Sequence, residues 1–127
     1  MIKNIQPKDV PESADPFSQV VLDDTYAYLA GLVAADFPEG QAVLGEVVEE
    51  TRAVLTAIRS ILAEIGLDMD RIVRTDVHLA DFNDFEKMNA VYREFFQDNR
   101  YPARTTTESS HLFGGSLVEI TCMARRL

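Results

Sequence analysis

The residues best suited to chemistry lie in one short stretch near the C-terminal end of the chain, Tyr101–Thr107. Arg104 follows Pro102, whose ring fixes its own backbone angle φ and restricts the residue before it, so Arg104 is held close to a rigid corner. A guanidinium presents a planar fork of N–H donors that matches a carboxylate, so this stretch could bind a carboxylate-bearing small molecule. The alternative is a solvated arginine at the start of a strand, because most charged side chains face water.

A second candidate is Glu119, in the middle of a predicted strand over residues 117–124. One face of this strand is continuously apolar, and Glu119 lies on the other face, which is largely apolar as well. A solvated face would also explain this residue. A four-residue turn over Leu112–Gly115 would pair residue 104 with residue 123, and Arg104 and Glu119 would then share one face of the sheet.

A third candidate is Asn89, which falls on the apolar stripe of the second predicted helix. The stripe consists of Phe85, Met88, Tyr92, Phe95 and Phe96. A buried amide must find hydrogen-bond partners, so Asn89 is either a structural strut or a residue of a binding site.

Length and composition limit the kind of protein. The chain has 127 residues, of which 46% are hydrophobic, which predicts one domain over residues 1–127 with a core that needs no disulfide or metal. Cys122 is the single cysteine, no apolar run could span a membrane, and residues 1–8 lack a secretory signal; together these predict a cytoplasmic protein. The net charge of −9 argues against nucleic acid as a partner and means that an anionic substrate would need a local cation.

The elements that must position these residues follow the order β, β, β, α, β, α, β, β. Apolar periodicity predicts helices over 45–65 and from a capping box at Asn83 and Glu86 to Phe96. A short first strand is predicted within residues 1–8, before a break at Pro7, and further strands cover residues 18–22, 26–33, 72–79, 104–110 and 117–124. Gly31 within the third strand indicates a bulge or a close approach by another group.

This order predicts an α+β layer with both helices on one face of the sheet. The opposite face would carry Arg74, Asp76, His78 and Glu119 among apolar residues, and a half-apolar exposed face favours oligomerisation.

Known cofactor and nucleophile motifs are missing from the sequence. His78 and His111 are the only histidines and have no Cys or carboxylate at ligand spacing, so no metal site is predicted. There is no glycine-rich phosphate loop and no nucleophile elbow. What remains is acid–base or electrostatic chemistry on a small molecule, carried out by positioned side chains.

Several runs of sequence together resemble the RidA/YjgF/YER family of reactive-intermediate deaminases over nearly the whole chain. They are Pro16–Gln19, Ala30-Gly31, Glu49–Arg52, Val73–Leu79, Asn83–Phe85, Met88–Phe96, Pro102–Thr105 and Val118–Ile120. The run in the second helix followed by Pro-Ala-Arg is the most specific part. The resemblance implies a chorismate-mutase-like fold of the bacillus type and a homotrimer with three clefts between subunits.

The resemblance also implies an activity, namely hydrolysis of enamines and imines such as 2-aminoacrylate to 2-keto acids and ammonia, without a cofactor. It implies that Arg104 binds the substrate carboxylate and that Glu119 positions or activates water. Gly31, Asn89 and Thr106 match further cleft positions, and Phe17 stands where the family usually has a tyrosine.

The sequence departs from the archetypal members of the family at three places. It has Ala30-Gly31-Leu32 in place of Ser-Gly-Gln, Phe17 in place of a tyrosine, and Thr106 where a cysteine is common. Because hydroxyl groups are lost, a changed substrate preference is expected. The alternative is a non-catalytic trimeric protein that binds a small metabolite, or regulates through it, in the same cleft; another hydrolytic or isomerising activity also stays open.

Overall fold

The computed structural model describes residues 1–127 as one mixed sheet covered by helices. The strands are β1 (Lys3–Ile5), β2 (Val20–Leu22), β3 (Tyr26–Val33), β4 (Ile72–Leu79), β5 (Ala103–Glu108) and β6 (Val118–Arg125). The helices are the short α1 (Pro38–Gln41), α2 (Val47–Glu64) and α3 (Phe85–Arg93). The strand order is β1-β2-β3-β6-β4-β5, and the predicted α+β architecture is confirmed. None of the helices combines the length and apolar character that crossing a membrane requires.

The last strand of the chain, β6, lies in the middle of the sheet and pairs antiparallel with both β3 and β4. Every second side chain from Val118 to Ala124 is buried in a core of 23 residues. Within that core, burial raises the pKa of the Cys122 thiol to about 12. Glu119 lies on the opposite face of β6, which we call the open face because no helix covers it.

Helix α2 supplies most of the core from the helical side. Its apolar residues recur at helical spacing, and the five that lie deepest are Val54, Leu55, Ile58, Ile61 and Leu62. Acidic residues occupy its first turn, where the helix dipole favours anions. Gly66, with a φ of +79°, follows the helix end in the left-handed conformation that glycine adopts without strain. The observed range agrees with the predicted one to within two residues.

The pairing predicted for β5 is wrong. This strand runs parallel to β4 at the edge of the sheet and does not contact β6 as a hairpin partner. Thr75 of β4 lies between Arg104 on one side and Cys122 on the other. Because Cys122 points into the core, Arg104 lies on the helix-covered face and Glu119 on the open face. Residues 104 and 123 therefore do not pair, and Arg104 and Glu119 do not share a face.

The connections on either side of β5 explain why this strand pairs with β4 and not with β6. Helix α3 returns the chain to the start of β4, so β5 must run in the same direction as β4. After β5 the chain crosses the end of β4, where Ser109 donates its N–H to the Leu79 carbonyl and Ala80 donates its N–H to the Leu117 carbonyl. This crossing brings β6 to the far side of β4.

The start of α3 also differs from the prediction. The side chain of Asp81 accepts a hydrogen bond from the Asn83 N–H (2.9 Å) and caps a single 3₁₀ turn over Phe82–Asp84. Asn83 therefore lies inside this turn and cannot cap the helix, so the predicted capping box is wrong. The helix ends at Arg93, three residues earlier than predicted, although Phe96 still reaches the core.

One buried carboxylate joins the start of α2 to the start of β6. Glu50 has no exposed surface; its Oε2 accepts from the Gly45 N–H (2.7 Å) and its Oε1 accepts from the Leu117 N–H (2.8 Å). Both amides lie outside the regular hydrogen-bond ladders, so the carboxylate satisfies two donors that the fold would otherwise leave unpaired. It also holds Leu117, the residue directly before β6 and two residues before Glu119.

We expect Glu50→Ala to destabilise the fold strongly, because it leaves two amides unpaired at about 1–3 kcal/mol each. Glu49→Ala is the matched control, since Glu49 is exposed on the same helical turn. Urea denaturation at one protein concentration measures both variants. Equal unfolding midpoints for the two would contradict the structural role of Glu50.

Candidate functional site

Arg104 lies in a cavity of about 210 Å³ between β5 and α3. The cavity is lined by Asn89, Tyr92, Arg93, Tyr101, Pro102 and Arg104. The guanidinium carbon of Arg104 lies 4.8 Å from the centre of the Tyr92 ring and 5.7 Å from that of Phe85. These distances are typical of cation–π contacts, so the aromatic rings hold the cation in place. No carboxylate of the chain pairs with it, which leaves its fork of N–H donors free for a ligand.

The aromatic support beneath Arg104 is itself fixed. The Tyr92 hydroxyl shares a buried hydrogen bond of 2.7 Å with the Thr75 hydroxyl. Burial raises the pKa of the Tyr92 phenol, so the ring stays neutral at physiological pH. A neutral, immobile ring gives Arg104 a defined position without neutralising its charge.

Two buried polar atoms near Arg104 have no hydrogen-bond partner, namely Asn89 Oδ1 and Thr106 Oγ1. Asn89 is 8% exposed, and its Nδ2 donates to Glu86 Oε1 at 3.2 Å, so only half of its amide is satisfied. Thr106 follows Arg104 by two residues on the same face of β5. Buried polar groups in proteins are nearly always paired, so these two unpaired groups indicate a place for a ligand or water.

Glu119 lies in a different cavity, of about 370 Å³, at the end of β3. Its lining consists of Ser13, Asp15, Phe17, Ala30, Gly31, Val33, Asp36, Phe113 and Glu119. The two cavities share no residue. The Glu119 carboxylate accepts no hydrogen bond within the chain, whereas Asp36, whose pKa is raised by burial, accepts from the Val33 N–H (3.1 Å). Glu119 is thus free to act on a ligand.

Gly31 allows the Glu119 side chain to lie flat against strand β3. A Cβ atom at residue 31 would lie 2.7 Å from Glu119 Oε2, a distance that real Cβ atoms do not show. The pairing of β3 with β6 also shifts between Leu29 and Leu32, so the strand bulges here. The structure confirms both interpretations of Gly31, because the strand bulges there and the Glu119 side chain approaches it closely.

The structure therefore separates the predicted site residues into two groups. Arg104 and Asn89 line the cavity between β5 and α3, and Thr106 follows Arg104 on the same face of β5; we call these three residues the arginine half-site. Phe17, Gly31 and Glu119 lie together around the second cavity, and we call them the glutamate half-site. Within one chain the two half-sites lie on opposite faces of the sheet.

Sequence reasoning missed Phe113, which lines the glutamate half-site with a side chain that is 64% exposed. A large apolar residue directly before the Gly114-Gly115 turn was the available signal. The predicted turn between the last two strands includes this residue, but that hairpin does not form.

Comparison with known proteins now defines the class. A family profile described as Endoribonuclease L-PSP matches residues 7–126. A curated relative from Capra hircus, named 2-iminobutanoate/2-iminopropanoate deaminase, is 41% identical over 114 residues, which cover 90% of this chain and 82% of the relative. The chain belongs to this family, which confirms the RidA/YjgF resemblance.

Solved structures support the same assignment. The conserved Rid family protein YyfA from Yersinia pestis superposes with a TM-score of 0.88 at 29% identity, covering 98% of this chain and 99% of that one. TdcF from E. coli, solved with bound serine, superposes with a TM-score of 0.86 at 26% identity and covers 98% of this chain and 99% of its own. The arrangement of sheet and helices is thus that of the Rid proteins.

The unpaired oxygen of Asn89 predicts how stability responds to mutation. We expect Asn89→Leu to change the free energy of unfolding by less than about 1 kcal/mol, because the residue makes one partly exposed hydrogen bond. Tyr92→Phe, which leaves the buried Thr75 hydroxyl unpaired, should cost about 1–3 kcal/mol. Urea denaturation of both variants provides the test. A larger loss for Asn89→Leu than for Tyr92→Phe would make Asn89 a structural strut.

Proposed function

We propose that this protein is an imine/enamine deaminase that converts carboxylate-bearing substrates, such as 2-aminoacrylate and its imine tautomer, to 2-keto acids and ammonia. The observation that carries the proposal is Arg104, a free cation fixed on aromatic rings in a chain of net charge −9. The names of the curated relatives agree with the predicted activity.

The proposal includes a homotrimer in which each active site combines the arginine half-site of one subunit with the glutamate half-site of its neighbour. Its support is that each half-site is chemically incomplete and that one chain holds them on opposite faces. The open face of the sheet also carries apolar side chains next to polar pairs, such as the Arg74–Asp76 ion pair (2.9 Å) and the His78–Thr107 contact (2.7 Å). A face of this mixed kind suits contact with another subunit.

In this arrangement the fork of Arg104 binds the substrate carboxylate and fixes the adjacent C=N carbon. Asn89 Oδ1 accepts a hydrogen bond from the substrate nitrogen, and the Thr106 hydroxyl donates one to the carboxylate. Both currently unpaired atoms thereby gain partners. A bidentate arginine contact of this kind contributes about 1.5–3 kcal/mol.

Glu119 of the neighbouring subunit acts as the general base and then as the general acid. It takes a proton from water as the water oxygen bonds to the imine carbon, and it passes this proton to the imine nitrogen, which gives a carbinolamine and leaves Glu119 ionised again. Glu119 then transfers the hydroxyl proton to the nitrogen, the C–N bond breaks, and ammonia and the 2-keto acid leave. An enamine substrate first gains a proton at its β-carbon and loses one from its nitrogen to become the imine. The scheme uses no metal ion and no cofactor.

The second candidate function is a non-catalytic metabolite-binding protein that uses the same cleft. Phe17 and Ala30 favour it, because both line the glutamate half-site without the hydroxyl groups that could hold a water molecule. A cytoplasmic location belongs to the proposal as well and rests on the sequence, whose one cysteine fits a reducing compartment.

The anchor role of Arg104 predicts a graded loss of activity. Arg104→Lys keeps the charge but loses the fork, and should lower kcat/KM roughly 10- to 100-fold. Arg104→Ala should abolish measurable turnover while the protein stays folded, because the side chain lies in a cavity outside the core. Keto-acid release from imines generated in situ by an amino acid oxidase, corrected for spontaneous hydrolysis, measures both.

Arg100→Ala is the control, since Arg100 is exposed and makes no ion pair. A thermal melt of each variant separates loss of activity from loss of folding. Turnover by Arg104→Ala close to that of the unmodified protein would remove the anchor role and favour the binding-protein alternative.

A further inference from the structure

Two aromatic rings border the glutamate half-site and leave much of their surface open to solvent. Phe17 is 52% exposed and Phe113 is 64% exposed, and both line the cavity that contains Glu119. Exposed apolar surface is unfavourable in water unless something covers it, and large exposed apolar patches in proteins mark binding sites. The chain therefore offers apolar surface at the place where its proposed chemistry occurs.

Phe113 is held in this position by the turn that follows it. Gly114 and Gly115 have φ values of +67° and +75°, and a Cβ on Gly114 would lie 2.4 Å from the Cβ of Ala35. The turn is thus packed directly against Ala35. The buried Ser116 hydroxyl also accepts a hydrogen bond from the Ala35 N–H (3.3 Å). Because this turn is anchored, the ring of Phe113 is presented to the cavity by a fixed backbone.

Three further residues of the cavity lining, Ala30, Gly31 and Val33, contribute no hydrogen-bonding side chain. Two of the polar side chains that border the cavity are engaged by backbone amides: Ser13 accepts from the Asp15 N–H (3.0 Å) and Asp36 from the Val33 N–H. A ligand in this cavity would meet the Glu119 carboxylate beside a largely apolar surface.

We propose that the glutamate half-site selects 2-imino acids with bulky apolar side chains, of the leucine or phenylalanine type, over imines with a methyl or ethyl group. Phe113, together with Phe17, determines this selectivity by covering the substrate side chain. The proposal rests on the proposed deaminase function and concerns the substrate class of the same site. The cavity volume of about 370 Å³ is of the size that small-molecule sites have.

The test compares imines made in situ by an amino acid oxidase from alanine, 2-aminobutanoate, leucine and phenylalanine. The measured quantity is the ratio of kcat/KM for the leucine-derived imine to that for the alanine-derived imine. We expect a ratio of at least about 10 for the unmodified protein, since hydrophobic pockets discriminate by about that factor per methylene. Phe113→Ala should lower the ratio about tenfold, and Phe17→Ala should lower it in the same direction.

Leu44→Ala is the matched control, because Leu44 is an exposed large apolar residue that lines neither half-site. For Leu44→Ala, the ratio of kcat/KM for the leucine-derived imine to that for the alanine-derived imine should equal the ratio of the unmodified protein. Light scattering on Phe113→Ala tests whether the ring instead packs against a neighbouring subunit. A changed oligomeric state, with the imine ratio unaltered, would overturn the specificity role.

The experiment distinguishes a failure of the proposed selectivity from a failure of the proposed deaminase function. Hydrolysis of the small imines with a ratio near 1, or a ratio unaffected by Phe113→Ala, overturns the selectivity and leaves the deaminase function standing. Absence of hydrolysis with all four imines contradicts the deaminase function itself, and the selectivity falls with it.

Discussion

The position of β6 between β3 and β4 is the constraint on which the rest of the structure depends. Because β6 is hydrogen-bonded along both edges, its side chains must alternate strictly between the core and the open face. Val118 and Ile120 fill the core, so Glu119 has to face away from it. Arg104 belongs to the edge strand β5 and faces the helices. The two groups that could carry out the chemistry are thereby placed on opposite sides of one sheet.

The sequence predicted the elements of this fold better than their arrangement. Helix α2 and the apolar face of β6 follow from local periodicity, which a single segment contains in full. The order of strands depends on pairing between distant segments, and the turn at Gly114 favoured a hairpin that does not form. Those glycines instead allow the turn to pack against Ala35. The predicted capping box is wrong for a similar reason. Asp81 begins a 3₁₀ turn before α3, and the local sequence pattern does not indicate this turn.

Like the fold, the candidate site could be predicted residue by residue but not in its three-dimensional arrangement. Arg104 is a candidate because of its rigid corner and Asn89 because of its place on an apolar stripe, and the structure places both at one cavity. Glu119 is a candidate because of its position in a strand, but the prediction that it shares a face of the sheet with Arg104 is wrong. Phe113 was missed because an exposed apolar residue in a turn has no periodic pattern. Its meaning depends on a cavity formed by β3, β6 and the N-terminal segment, which are distant in sequence.

The central claim is that Arg104 and Glu119 of different subunits form one active site, and co-expression of Arg104→Ala with Glu119→Gln tests it most directly. Each variant alone should be inactive. In mixed trimers, a site regains both residues when its arginine comes from one variant and its glutamate from the other. Random assembly from equal amounts gives this for about a quarter of the sites, so keto-acid release should recover to about a quarter of the unmodified level. Mixed trimers confirmed by mass spectrometry that show no recovery would contradict the account.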